Sequence, residues 1–279
     1  MINGLAIWHY PHRTMEENIR FFAACGFPSV SVHGARFVEV LADPAAAEGV
    51  AAAVAETGVI FTVHYALPRK HERETVAVFE AGITAIARWQ KTHGHIAVLS
   101  FDVPAPIRDN VRPYVDFVLD TVPACRVAVE DFGLTAAERA QTEHLLGHDR
   151  FGYLVDLGHL LLRLRGKNMS GKTLFTHSPD EYPVTETPDT AAVLGALRSK
   201  PHPIFEMHLH NNDGAEDLHW FLEDGVFDVP AVARALKELG YEGILTIESA
   251  PGFKFECRGQ AADEGILQTY AYWLTCLGT

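Results

Sequence analysis

Short apolar runs rich in β-branched residues alternate with longer amphipathic segments along the chain. Eight of the short runs predict strands, at residues 4–8, 29–33, 59–64, 95–101, 126–130, 151–156, 204–210 and 243–248. Between them, apolar positions recur with the helical period, most clearly in residues 14–26, 44–58 and 229–240. Each of these segments ends on glycine, as helix C-termini often do.

Eight strand–helix repeats in 279 residues predict a (β/α)8 TIM barrel. Barrels of about 250 residues form one domain, so we expect a single domain over residues 1–279. A doubly wound open sheet is the alternative. Its usual signature, G-x-G-x-x-G after the first strand, does not occur here.

Composition narrows the class of protein. The apolar fraction of 48% supports a sizeable core, while the formal charge of −13 disfavours nucleic acid as a partner, although a local basic groove could override it. Four scattered cysteines without a C-x-x-C pair fit reduced thiols. With no signal peptide and no membrane-length apolar run, we expect a cytoplasmic protein without a membrane partner. Homo-oligomerisation is left open.

Acids and histidines recur at the C-terminal ends of the predicted strands, on the side that turns into the barrel. Barrels carry their active sites at this end. Burying several carboxylates there without a counter-charge is costly, so the set predicts a divalent metal. Oxygen and imidazole ligands suit Zn(II) or Mn(II), with Mg(II) and Co(II) also compatible. The predicted ligands are Glu130, Asp156, His208 and Glu248.

A second group is predicted to bind another metal or the hydroxyls of a substrate. It comprises His64, His159, Asp217 and His219. Other residues nearby have a structural interpretation. We expect His9, His33 and His210 to be hydrogen-bonded core histidines and Asp213 to close a turn in the sequence NNDG.

One motif is expected to be misleading. Residues 166–173, GKNMSGKT, match a phosphate-binding loop, but the three prolines that follow prevent the helix that such a loop requires. We predict instead an extended loop over residues 163–187, either a lid that meets a substrate anion or a solvated segment. Its cations are Arg163, Arg165, Lys167 and Lys172.

Several segments together resemble the xylose isomerase-like TIM barrel superfamily, which contains endonuclease IV-type AP endonucleases and many sugar isomerases and epimerases. They are FTVHYALP, VAVEDFG, YLVDLGH, MHLHNNDG with EDLH, and DGVFDVPAVARALKELGYEGILTIES, spanning roughly residues 60 to 250. The resemblance implies one metal centre at the four ligands named above and another at His159, Asp217 and His219. A third centre would need His64 and a second histidine, where this chain has Ser100 or Asp102. That departure argues against AP endonuclease activity.

The function we expect is metal-dependent isomerisation or epimerisation of a sugar or small hydroxy-carbonyl compound. Glu130 and Glu248 would transfer the proton through a metal-stabilised enediolate, while His159 orients the substrate and His208 the metal. The alternatives are an endonuclease IV-like phosphodiester hydrolase and a barrel that binds a sugar-like ligand without turnover.

Overall fold

Eight parallel strands pair in chain order, and the first pairs with the last to close a barrel. The computed structural model describes residues 1–165, 188–252 and 254–279. The strands are β1 (Ile2–Ala6), β2 (Ser29–His33), β3 (Ile60–Ala66), β4 (Ile96–Asp102), β5 (Arg126–Glu130), β6 (Phe151–Asp156), β7 (Ile204–Leu209) and β8 (Ile244–Ile247). Closure confirms the predicted TIM barrel and excludes the open sheet.

Helices alternate with the strands. The described residues form α1 (Met15–Ala24), α2 (Gly34–Leu41), α3 (Pro44–Thr57), α4 (Arg73–His93), α5 (Arg112–Thr121), α6 (Ala136–Thr142), α7 (Leu157–Leu164), α8 (Thr190–Arg198), α9 (Val229–Leu239) and α10 (Gln260–Leu277). Local sequence explains where they begin. A capping box joins Thr14 and Glu17 at the start of α1, and the side chain of Asp43 caps α3.

The strand β1 differs from its prediction. It begins and ends two residues earlier than expected, and Ile7–His9 form a 3-10 turn. Pairing with β8, in which Ile2 lies opposite Ile244, extends the start of the strand. At its other end the chain leaves the sheet, and both Trp8 and His9 line the mouth of the barrel.

The interior of the barrel is apolar below and polar above. A small cluster of buried apolar side chains comprises Val98, Ala128, Leu154, Phe205 and Ile244. Four of its members precede polar residues by two positions on their strands, and side chains two apart on a strand share a face. This layer therefore fills the lower barrel, and most inward polar side chains lie at the C-terminal end. Glu206 is an exception, because it lies opposite Leu154 and Ile244 in the sheet.

Among the described residues, no helix combines the length and the apolar character that crossing a membrane needs.

Candidate active site

A cavity of about 1080 Å³ opens at the C-terminal ends of the strands. Strand register brings polar side chains to one level there, since Asp156 lies opposite His208 and His64 lies opposite Ser100. One wall is apolar and includes Trp8 and Tyr65. The cavity thus joins a polar floor to a partly apolar wall, as small-molecule sites commonly do.

Three of the four predicted metal ligands form a compact group. One ligand atom each from Asp156, His208 and Glu248 lies within 4.8 Å of the others. Nδ1 of His208 lies 3.0 Å from Oε2 of Glu248. Nevertheless, Oδ2 of Asp156 and both ring nitrogens of His208 are buried with no hydrogen-bond partner in the described part of the chain. Buried polar atoms are normally satisfied, so this donor set fits a divalent cation.

The fourth predicted ligand, Glu130, lies beside this group and contacts two histidines. Its Oε2 lies 3.3 Å from Nε2 of His64, and its Oε1 lies 3.3 Å from Nδ1 of His159. Glu130, His64 and His208 form a second compact group. The structure therefore brings all four predicted ligands together at the bottom of the cavity, where His208 belongs to both of two adjoining groups.

Three members of the second predicted group, His159, Asp217 and His219, lie together with His210, whereas the fourth, His64, lies with Glu130 and His208. Oδ1 of Asp217 lies 3.1 Å from Nε2 of His219, 3.5 Å from Nε2 of His159 and 3.7 Å from Nε2 of His210. These four residues offer nitrogen and carboxylate ligands, and their group adjoins the first, because Nε2 of His210 lies 3.1 Å from Oδ1 of Asp156.

His210 was expected to be a hydrogen-bonded core histidine. It is buried, and its Nε2 lies 3.1 Å from Oδ1 of Asp156, although neither ring nitrogen has full hydrogen-bond geometry to a described residue. It also belongs to the four-residue group around Asp217. Its ring stacks on His219 with centroids 3.7 Å apart. Gly158 makes room for it, because a β-carbon at that glycine would lie 2.3 Å from Cε1 of His210. The available sequence signal was the period-two spacing from His208.

Two residues of the site were not predicted from the sequence. Asp131 follows β5 with φ at +48°, and its Oδ2 accepts a hydrogen bond of 2.8 Å from Nδ1 of His159. Lys254 donates to the carbonyl oxygen of Asp217 at 3.2 Å and lies 3.4 Å from its Oδ2. Adjacency to Glu130 was a signal for Asp131, whereas no pattern in the sequence marks Lys254.

The predicted cationic loop is only partly described. Arg163 lies in α7, not in a loop, and is buried where its guanidinium donates to Oδ2 of Asp131. It is therefore not on a lid. A β-carbon at Gly214 would fall 2.5 Å from Nη1 of Arg165, so that guanidinium lies against the loop after β7. Lys167, Lys172 and the rest of the predicted lid, residues 166–187, lie outside the described residues.

Replacing Arg163 with alanine should destabilise the fold. Removing one partner of a buried ion pair leaves an uncompensated charge and typically costs about 3–5 kcal/mol. We expect the lower end, because His159 also donates to Asp131. Urea denaturation measures the change. The exposed Arg36, which pairs with Glu39 at 3.5 Å, provides the control. Equal unfolding free energies for R163A and R36A would contradict the assignment.

The surroundings of Glu130 and Glu248 shift their pKa values in opposite directions. Burial, reinforced by the neighbouring Asp102, raises the pKa of Glu130 to about 8. Burial also acts to raise the pKa of Glu248, but His208 and His219 outweigh it and hold the pKa well below its ordinary value. Two carboxyl groups whose pKa values are shifted in opposite directions thus line one cavity, a pattern that recurs in acid–base active sites.

A comparison with known protein families identifies the family of this barrel. Residues 19–269 match the family described as the xylose isomerase-like TIM barrel. The chain belongs to this family. No curated protein matches the sequence.

Solved structures similar to this xylose isomerase-like barrel share its fold at low identity. D-psicose 3-epimerase from Clostridium cellulolyticum H10, solved with D-tagatose, has 11% identity and a TM-score of 0.68, with 99% of each chain covered. The 3-keto-D-glucoside 4-epimerase from E. coli has 14% identity and a TM-score of 0.67, over 99% of this chain and 100% of that one. An L-ribulose 3-epimerase has 15% identity and a TM-score of 0.66, over 100% and 95%.

Proposed function

We propose that this protein is a divalent-metal-dependent epimerase or isomerase of a ketose or a related hydroxy-carbonyl sugar. The observation that carries the proposal is that Glu130 on β5 and Glu248 after β8 line one cavity and border the unsatisfied ligand atoms of Asp156 and His208. The similar structures described above are those of sugar epimerases, which supports the same class of reaction.

The proposed metal ligands are Glu130, Asp156, His208 and Glu248. Hard oxygen and imidazole donors suit Zn(II) or Mn(II) best, and Mg(II) or Co(II) are compatible. When bound, such an ion supplies positive charge that stabilises the negative charge of the enediolate.

The protein's own groups carry the proton. In this proposal the ionised carboxylate of Glu248 removes the proton from the carbon next to the carbonyl, which leaves an enediolate. Glu130, across the cavity, delivers a proton to the opposite face of that carbon, and the two carboxyl groups are reset by exchange with solvent. Removal and return on opposite faces invert the carbon, which is epimerisation.

The second group has a binding role in the proposal. The hydroxyls of the substrate are contacted by His159, Asp217 and His219. His64 lies beside Glu130 at the bottom of the same cavity. A second metal ion at His159, His210, Asp217 and His219 is the alternative use of these residues.

That alternative favours a second candidate function, metal-dependent phosphodiester hydrolysis. The four residues each offer a ligand atom within 4.8 Å of the others, as a further metal centre would need. A third centre, as in the endonucleases, would need a second histidine beside His64. Here Asp102 lies 3.3 Å from Nε2 of His64, and Ser100 lies 3.1 Å from its Nδ1. This difference argues against the hydrolase.

Solvent deuterium exchange tests the leading proposal. In D₂O with added Mn(II) or Zn(II), we expect the protein to incorporate deuterium next to the carbonyl of at least one of psicose, tagatose, ribulose or a 3-keto-glucoside, because proton removal exposes the carbon to exchange. Proton NMR follows the signal loss. Cleavage of a phosphodiester without exchange would support the hydrolase, and binding of a sugar without exchange would support a non-catalytic barrel.

A further inference from the structure

A fully buried carboxylate, Glu206, lies inside the barrel directly below the site. It shares the inward parity of His208 and belongs to neither predicted ligand group. Its Oε1 accepts hydrogen bonds from the hydroxyls of Thr62 at 3.2 Å and Thr246 at 2.8 Å. Its Oε2 accepts one from the hydroxyl of Ser100 at 3.2 Å. Three donors satisfy it as an acceptor, which places a fixed negative charge under the two histidines.

Ser100 connects this carboxylate to His64. A serine hydroxyl has one hydrogen, and here it is donated to Glu206. The oxygen is therefore left to accept from Nδ1 of His64, 3.1 Å away. With its proton on Nδ1, the ring turns Nε2 towards two carboxylates of the site, Oε2 of Glu130 and Oδ1 of Asp102, each 3.3 Å away.

His208 has the matching arrangement without an intermediary. Its Nε2 faces Oε1 of Glu206 at 3.7 Å, which is longer than a hydrogen bond but close enough for the negative charge to favour a proton on that nitrogen. Its Nδ1 points the other way, to Oε2 of Glu248 at 3.0 Å. Each ring thus has one nitrogen connected to Glu206, directly for His208 and through Ser100 for His64. The other nitrogen of each ring faces carboxylates of the site.

We propose that Glu206 is a positioning residue that holds a proton on Nδ1 of His64, through Ser100, and on Nε2 of His208, so that both rings offer their other nitrogen to the site. The inference rests on the proposed metal site. Partners of this kind fix the tautomer and orientation of a ligating histidine, and their removal typically weakens metal binding by about 10–100-fold.

Three variants of the full chain separate the connections. Glu206→Gln removes the carboxylate from both histidines. Ser100→Ala breaks only the connection to His64. Thr62→Val removes a hydrogen bond to Glu206 while touching neither connection, and it is the matched control for loss of a buried hydroxyl. Each variant is titrated with Zn(II) against a competing chelator, and NMR of the imidazole nitrogens identifies which nitrogen of each ring carries a proton.

We expect Glu206→Gln to weaken Zn(II) binding by about 10–100-fold and to move the ring signals of both histidines. Ser100→Ala should move those of His64 alone, and Thr62→Val should leave both rings unchanged. Parental Zn(II) affinity and unchanged ring signals in Glu206→Gln would overturn the inference, as would a fall in melting temperature with no movement of the ring signals.

Two further outcomes are decisive. If Glu206→Gln does not fold, unchanged His64 signals in Ser100→Ala overturn the inference. If the parent binds no Zn(II), the metal site of the proposed function fails separately. In that event the His64 signals of the metal-free chain are compared between parent and Ser100→Ala at about pH 10. This lies above the pKa of His64, which Asp102 and Glu130 raise to about 9 against the effect of burial, so the ring carries one proton. Unchanged signals then overturn the inference.

Discussion

Replacing Glu248 with glutamine is expected to slow solvent deuterium exchange into a ketose substrate by about 10²–10⁴-fold, the usual contribution of a general base. Glutamine keeps the size of the side chain but cannot take up the proton. The native carboxylate is ionised because His208 and His219 outweigh the effect of burial and hold its pKa well below the ordinary value. Proton NMR measures the exchange rate, and circular dichroism reports whether the fold is intact.

Loss of the base must be distinguished from loss of a metal ligand. The exchange rate of Glu248→Gln is therefore measured at saturating Zn(II) or Mn(II), after its affinity has been determined. The control is Glu242→Gln, an exposed glutamate that precedes β8 at the opposite end of the barrel. A rate for Glu248→Gln within about tenfold of the parent would refute the role assigned to this carboxylate.

The second large effect is expected from Asp156→Asn. Oδ1 of Asp156 caps α7 by accepting from the backbone N–H of His159 at 2.8 Å. Oδ2 is buried and makes no hydrogen bond to any described residue. Asparagine caps a helix as well as aspartate does, so the substitution removes the negative charge and keeps the cap. We expect affinity for Zn(II) or Mn(II) to fall by at least about 100-fold, since even indirect partners of a ligand contribute up to that amount.

Thermal unfolding with and without the ion measures this loss. At an ion concentration of about 100 times the parental Kd, binding stabilises the parent by about 2.7 kcal/mol, but a protein that binds 100-fold more weakly by only about 0.4 kcal/mol. Asp189→Asn is the matched control, because Asp189 caps α8 through the N–H of Ala192 at 2.9 Å and is exposed. If Asp156→Asn keeps the full metal-dependent shift, Asp156 is not a ligand.

Sequence patterns were sufficient for the barrel and for the direction of its polar side chains. The predicted β5 and β6 have the observed bounds. Because side chains alternate along a strand, Glu130 and Asp156 could be assigned to the interior from spacing alone. The bounds of β1 could not be predicted in this way, since they depend on its pairing with β8.

Other features required the folded chain. Asp131, Lys254 and His210 are distant from most of their partners along the sequence, and only packing brings them to the site. The sequence marked Arg163 as a loop cation, whereas α7 continues through it and buries it against Asp131.

The sequence by itself determined a xylose isomerase-like barrel with acids and histidines on the inward parity of its strands. Only the tertiary structure decided how these residues group: that His64 lies beside Glu130, that His210 joins Asp217, and that Glu206 lies beneath two histidines. The physical reason is that periodicity fixes the direction of a side chain relative to its own strand. Contacts between strands depend instead on their register and on the closure of the barrel, which arise only when all eight strands pair.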